Sequence, residues 1–309
     1  MVEMFTYMGS HAQALHGGYR LGPSADAELT PLEGYGRRAL VFVPGLGGSV
    51  RWAERFLSQL EGRYDLIVGL DLRGYGLNRG LEPVSPKLQA ADLRAFLHEA
   101  RLSVRFDEVH LAGISLGGVL AAHLASQRAE AFRSLLLLAP AFAPHPRTFS
   151  PGFTIRQVAR RLLNGPETRM CMPYGLRDIT QNPEVLADPE FQGLFPLSLG
   201  VDFALGVKGL AGATIQAMDG IHLPTMVVVP GMDRVCDVRA MRKAFHRLPN
   251  AEANNLLELP EAFHDVLMEG GTERIADCYR LWLARVKHRY GQADWQAPKN
   301  PRTGVRSTR

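Results

Sequence analysis

The chain has 309 residues, of which 46% are hydrophobic and 21% charged. That balance suits a folded protein with a sizeable core and excludes a disordered, collagen-like or coiled-coil chain. The net charge is +4, but +3 of it lies in residues 291–309, a basic Pro- and Gly-containing tail expected to be disordered. The body, at +1, therefore gives no reason to expect a nucleic-acid partner. No apolar run nears the roughly 18 residues of a membrane span, so no stable membrane insertion is expected. The N-terminal residues carry Glu3 and lack the basic and apolar regions of a secretory leader. The three cysteines (Cys171, Cys236, Cys278) are scattered and odd in number, which argues against a disulfide framework or zinc site and suits a reducing cytoplasm.

In chain order, strands are expected at Arg38 to Val43, Tyr64 to Leu70, Glu108 to Ala112, Phe132 to Ala139, Thr225 to Val229 and Asn255 to Leu259. Most of these end at Pro, Gly or Asp. Several are solidly apolar rather than alternating, the pattern of strands covered on both faces. Helical spacing falls between them at Trp52 to Leu60, Leu88 to Leu102, Leu116 to Ser126, Val238 to Leu248 and Arg274 to Val286. Alternating strand and helix predicts a doubly wound, mostly parallel α/β sheet.

Residues 141–222 break that alternation. They show no convincing strand, only short helical pieces such as Ile155 to Leu163 and Leu197 to Leu210. The segment falls between two sheet strands, so it reads as a helical cap over their carboxyl ends, where ligands bind in open α/β sheets. The expected organisation is a core over 1–140, the cap over 141–222, the rest of the core over 223–290, and the tail over 291–309. Six phenylalanines lie in the cap: Phe142, Phe149, Phe153, Phe191, Phe195 and Phe203. They either form its own core or line an apolar substrate pocket, for which Phe142, Phe153 and Phe195 are the candidates.

Gly113-Ile114-Ser115-Leu116-Gly117 joins a predicted strand to a predicted helix. This is the pattern of a nucleophile elbow, a sharp turn that lifts a serine hydroxyl above the sheet. Serine needs a base. Of the ten histidines, His264 alone follows the last strand in a loop. The base needs an acid to fix its tautomer, and Asp233 stands just past the Thr225 to Val229 strand. Asp237 is the rival, with N-capping of a helix as its other role. Developing oxyanion charge requires backbone donors. Leu116 N–H follows the serine, and Leu46 N–H lies in the Gly-rich loop Pro44-Gly45-Leu46-Gly47-Gly48. That loop lacks the Lys-Ser/Thr of a phosphate-binding loop.

Together these pieces resemble the α/β-hydrolase superfamily over about residues 35–290, and in particular its monoacylglycerol lipase, lysophospholipase and serine aminopeptidase-like branch. The resemblance rests on Pro44-Gly45-Leu46-Gly47, Asp71-Leu72-Arg73-Gly74-Tyr75-Gly76, Gly113 to Gly118, Leu223-Pro224-Thr225, Gly231-Met232-Asp233-Arg234-Val235 and Phe263-His264. The order Ser115, Asp233, His264 is the α/β-hydrolase order. The resemblance implies that Asp71 and Arg73 are structural braces. The chain departs from it at Pro44, where the family often has His, and at Asn78, where it often has Ser.

The expected activity is hydrolysis of a small-molecule carboxylic ester with an apolar acyl chain, without metal or cofactor. Amide hydrolysis would need acids in the cap to hold an amine, from among Glu167, Asp178, Glu184, Asp188, Glu190 and Asp202. Lysophospholipid hydrolysis would use Arg156, Arg160 and Arg161. A ligand-binding protein on the same fold is the reading from another class. The sequence leaves the oligomeric state open.

Overall fold

The computed structural model describes residues 3–8, 10, 14–21, 38–82, 85–99, 106–196 and 198–290; the expected tail over 291–309 lies outside them. Their main feature is an eight-stranded sheet. Its strands are β1 (Glu3–Met8), β2 (Ala14–Leu21), β3 (Arg38–Val43), β4 (Leu66–Leu70), β5 (Glu108–Ile114), β6 (Ser134–Leu138), β9 (Thr225–Pro230) and β10 (Asn255–Leu259). Across the sheet they run β1-β2-β4-β3-β5-β6-β9-β10. Only β2 opposes the rest: it pairs antiparallel with both β1 and β4, and every other pairing is parallel. The mostly parallel α/β sheet expected from the alternation is therefore the observed one.

The solidly apolar strands are the central ones. Leu135 to Leu138 in β6 are all fully buried, and each contributes on the order of 2 kcal/mol by leaving water. Helices cover both faces: α1 (Glu54–Ser58), α2 (Pro86–Glu99), α3 (Leu116–Gln127), α9 (Val238–Phe245) and α10 (Thr272–Tyr290). Helix α3 is apolar on nearly every side because β5, β6 and a helix of the later segment all pack on it. It approaches the sheet closely. A Cβ on Gly117 would lie 2.1 Å from the Val43 carbonyl oxygen, and one on Gly113 would lie 2.3 Å from that of Gly117.

Between β6 and β9 the chain makes α4 (Pro151–Asn164), β7 (Arg169–Cys171), α5 (Leu176–Ile179), α6 (Pro183–Ala187), α7 (Pro189–Leu194), β8 (Ser198–Gly200) and α8 (Val201–Ala217). This corrects the expectation of a strand-free stretch: β7 and β8 pair antiparallel over three residues each. The helix expected at Leu197 to Leu210 begins only at Val201, because Ser198 to Gly200 enter β8. Ser150 caps α4, its Oγ accepting from the Phe153 N–H, and Pro151 occupies the first turn. Among the described residues no helix is long and apolar enough to cross a membrane.

The Asp71 loop carries the bracing that the resemblance implied. The Asp71 carboxylate accepts from Ser49 Oγ at 2.8 Å, Val50 N–H at 2.7 Å and Leu77 N–H at 2.9 Å. Arg73 forms a buried, two-pronged pair with Asp92. Asn78 accounts for its departure from the family pattern: its side chain ties the Asp71 carbonyl to the backbone of His16 in β2.

Candidate active site

Parallel strands place their carboxyl ends on one rim, and four of the loops there carry the predicted residues. Leu46 follows β3, Ser115 follows β5, Asp233 follows β9 and His264 follows β10. Ser115 sits at φ 55°, ψ −120°, outside the usual regions for a non-glycine residue. Such a conformation costs about 1–3 kcal/mol and must be held by its surroundings. Here the Ser115 N–H donates to the Leu138 carbonyl at 2.9 Å, and the Ser115 carbonyl accepts from Ala141 at 3.0 Å.

The three side chains meet in a line. Ser115 Oγ is 2.9 Å from His264 Nε2, and His264 Nδ1 is 2.7 Å from Asp233 Oδ2. The other carboxylate oxygen of Asp233 accepts from the N–H groups of Val235 and Cys236, each at 2.8 Å. The carboxylate is thereby fixed at both ends, and the Asp233 side chain is fully buried. Asp237 takes the alternative role weighed for it: its carboxylate accepts from the Arg239 N–H at the start of α9. Burial works against charging His264, but Asp233 outweighs it, and the imidazole is held above its ordinary range. Such a line can draw a proton from the serine hydroxyl as a nucleophile forms.

Leu46 lines both cavities that open at Ser115, and Leu116 follows Ser115 at the start of α3. Among the described residues neither N–H donates to a protein acceptor, which leaves both available to a ligand oxygen. The first residue of a helix has no intrahelical partner for its N–H, and the dipole of α3 favours negative charge there.

Two cavities open at Ser115 and share Leu46 and Tyr174 as walls. The larger, about 180 Å³, is apolar and reaches under α4 and α8. Phe142, Phe149 and Phe153 line it, with Met170, Met172 and Cys236. The smaller, about 60 Å³, holds Ser49, Trp52, Phe191, Phe195 and Asp265. Of the six phenylalanines only Phe203 stays out of both cavities, packing into the core instead. Tyr174 and Asp265 were not foreseen. Tyr174 follows no motif, while Asp265 is the immediate neighbour of His264 and so was within reach of the sequence. Burial pushes the Asp265 carboxyl up from its ordinary range.

One grouping of metal-ligating atoms occurs among the described residues: Asp233, Cys236 and His264, all within 4.8 Å of one another. It makes a poor metal site. Burial pushes the Cys236 thiol well up, whereas ligation needs a thiolate, and Asp233 and His264 already bind each other.

The strand order, the turn at Ser115 and the loops after β9 and β10 define an α/β-hydrolase. Within that class the chain belongs to the serine aminopeptidase S33 family (Hydrolase_4), whose model matches residues 35–271. It is 28% identical over 220 residues to RutD of Pseudomonas syringae, a protein named for carbamate hydrolysis; the match spans 69% of this chain and 82% of that one. It is 25% identical over 252 residues to the monoglyceride lipase of Rattus norvegicus, spanning 76% of this chain and 82% of the relative. A soluble variant of the Saccharomyces cerevisiae monoglyceride lipase, solved with a substrate analog, shares the fold. Its TM-score is 0.75 at 16% identity, over 93% of this chain and 95% of that one.

Proposed function

We propose that the chain is a serine esterase of the lipase type, cleaving a carboxylic ester with an apolar acyl chain. The observation that carries this is the Ser115–His264–Asp233 line opening directly onto an apolar cavity of about 180 Å³. Ser115 Oγ attacks the ester carbonyl while His264 Nε2 takes its proton. Asp233 holds the Nδ1 proton and offsets the charge of the imidazolium. The N–H groups of Leu46 and Leu116 receive the oxyanion. His264 then protonates the departing alcohol, and water, activated by the same histidine, releases the acid from Ser115.

On this reading residues 141–222 act as a cap. The acyl chain lies in the larger cavity against Phe142 and Phe153. The alcohol lies in the smaller one, near Phe195, where Ser49 and Asp265 offer polar atoms. Aminopeptidase action is less well supported. None of the six cap acids lines either cavity. Asp178 and Asp202 pair with Arg234 and Arg161, and Asp188 caps α7. Nor do the three arginines reach a cavity. Arg161 pairs with Asp202, Arg160 donates to Gln157, and Arg156 lies over the Phe153 ring. A non-catalytic binder would have no need of the complete line.

The test is Ser115→Ala with p-nitrophenyl esters of short and medium chain. The wild-type chain should turn them over and label with a fluorophosphonate, and the variant should do neither. A variant that keeps its turnover, or a wild type that neither labels nor turns over, defeats the proposal.

A further inference from the structure

The opposite end of the sheet holds a separate cavity of about 370 Å³ with several charged residues in its lining, within the size range of small-molecule sites. It lies at the amino ends of β3, β5 and β6, where Arg38, Glu108 and Ser134 open their strands. The last turn of α10 closes one side with Lys287. Ser115 stands beyond the far end of β5, so this cavity is no part of the site described above.

Its charge is unbalanced. Arg38, Arg63, Arg133 and Lys287 line the wall, and among the described residues Glu108 is the only acid there. Glu108 lies between two of these cations, 3.5 Å from Arg133 Nε and 3.8 Å from Arg38 Nε. The His110 imidazole, followed by the two guanidinium groups, holds the Glu108 carboxyl below its ordinary range, so it is ionised. Asp65 is nearby, but its carboxylate accepts from the Arg38 N–H and does not reach the wall. Among the described residues, then, four cations and one carboxylate line the wall.

His110 supplies the second observation. Its ring is 96% buried, the side chain being 4% exposed, and Nδ1 is 2.7 Å from Ser134 Oγ. Nε2 faces the Glu108 carboxylate across 3.7 Å, an ion-pair distance, and has no closer partner. A buried ring nitrogen whose nearest acceptor lies that far off is under-satisfied, and a ligand oxygen could meet it more closely.

We propose that this cavity binds a small phosphate dianion, inorganic or as a monoester, held by Arg38, Arg133 and Lys287 with His110 Nε2–H as the buried donor. Phosphate fits better than a carboxylate because it brings close to two charges and three acceptor oxygens, which several guanidinium forks can share. Nε2 donates in the neutral tautomer whose Nδ1 accepts from Ser134, and burial holds the ring toward that uncharged form.

The experiment is calorimetric titration of the full chain with inorganic phosphate and, separately, with methyl phosphate, at ionic strength matched by sodium chloride. Saturable binding should appear and should persist in Ser115→Ala. Replacing both arginines (Arg38→Gln, Arg133→Gln) should weaken it about tenfold or more. Glu108→Gln should tighten it severalfold, since it removes the competing carboxylate, and that opposite sign separates a ligand site from a purely structural ion pair. Tighter binding of methyl phosphate points to a monoester ligand, and equal binding to phosphate itself. No saturable heat up to about 10 mM, unchanged affinity in the double variant, or weaker binding in Glu108→Gln would overturn the proposal.

Discussion

The rim at the carboxyl ends of the strands and the segment between β6 and β9 are built by different means. On the rim, backbone groups hold the chemistry in place: Asp233 receives two N–H donors, and Ser115 keeps an unusual φ because Leu138 and Ala141 bond its peptide groups. In the segment, side chains on α4, β7 and α8 set the shape of a cavity, and three large apolar residues face outward from α4. Ile155, Leu162 and Leu163 are 69%, 78% and 83% exposed. The difference separates two tasks. Backbone bonds fix the reacting geometry whatever the surrounding side chains are, whereas a wall of side chains can be remodelled by single substitutions. On the proposed reading the rim supplies the reaction and the segment selects the acyl chain.

The largest test of that division lies on the rim. Asp233→Asn keeps the shape but loses the charge that orients and supports His264. Turnover should fall about ten-thousandfold. The pH profile carries the sign. His264 acts as a base only when neutral, and its folded pKa is raised, so turnover is lost as pH falls through a midpoint above about 6.5. The stabilising attraction between Asp233 and protonated His264 runs the other way, being present below about 6.5 and lost as pH rises through the folded value. Asp233→Asn should move the kinetic midpoint downward. A midpoint that stays in place in the variant would mean that Asp233 does not govern His264.

The two regions also differed in how well the sequence announced them. The rim was legible because each loop follows an apolar strand and opens at Gly, Pro or Asp, as at Pro44-Gly45 and Pro230-Gly231. Strand starts drifted by a residue or two, as at Tyr64, two residues before β4 begins, where Asp65 turns its carboxylate to the Arg38 N–H. The segment was harder. Strands β7 and β8 are three residues each, too short to show alternation, and they exist only because their two stretches meet. At the sheet edge, β1 and β2 are hidden in the sequence for another reason: Gly17 and Gly18 interrupt the β2 pattern, and one of its two partners, β4, is distant in sequence. Cavity walls depend on where α4 and α8 turn their faces, so Phe149, Met170 and Tyr174 could be placed only in three dimensions.

A smaller effect should come from the cavity wall. Phe153 lines the larger cavity and packs edge-on against Phe149. Phe153→Ala should enlarge the space available to the acyl chain while leaving Ser115, His264 and Asp233 untouched. The ratio of kcat/KM for twelve-carbon over six-carbon p-nitrophenyl esters should rise about tenfold, since one to two methylenes' worth of contact is at stake. Hydrolysis of p-nitrophenyl acetate should change little. If the acetate rate collapses while the chain-length ratio stays put, Phe153 supports the rim and does not select the acyl chain.

The smallest effect lies on the outer face of the same helix. Thr154, Gln157 and Val158 of α4 line the cavity, whereas Leu162 and Leu163 are exposed one to two turns further along. Apolar side chains beside the mouth of an apolar cavity lose their contact with water when the protein meets a dispersed lipid surface. Leu162→Ser with Leu163→Ser should therefore lower turnover of an ester carried in vesicles about threefold, because only part of each leucine would be withdrawn from water. Turnover of a dissolved short-chain ester should be unchanged, since neither residue lines a cavity. An equal fall on both substrates would place the defect in the folding of α4. No fall on either would leave the outer face without a part in the reaction, and the division between rim and segment would then rest on the cavity wall alone.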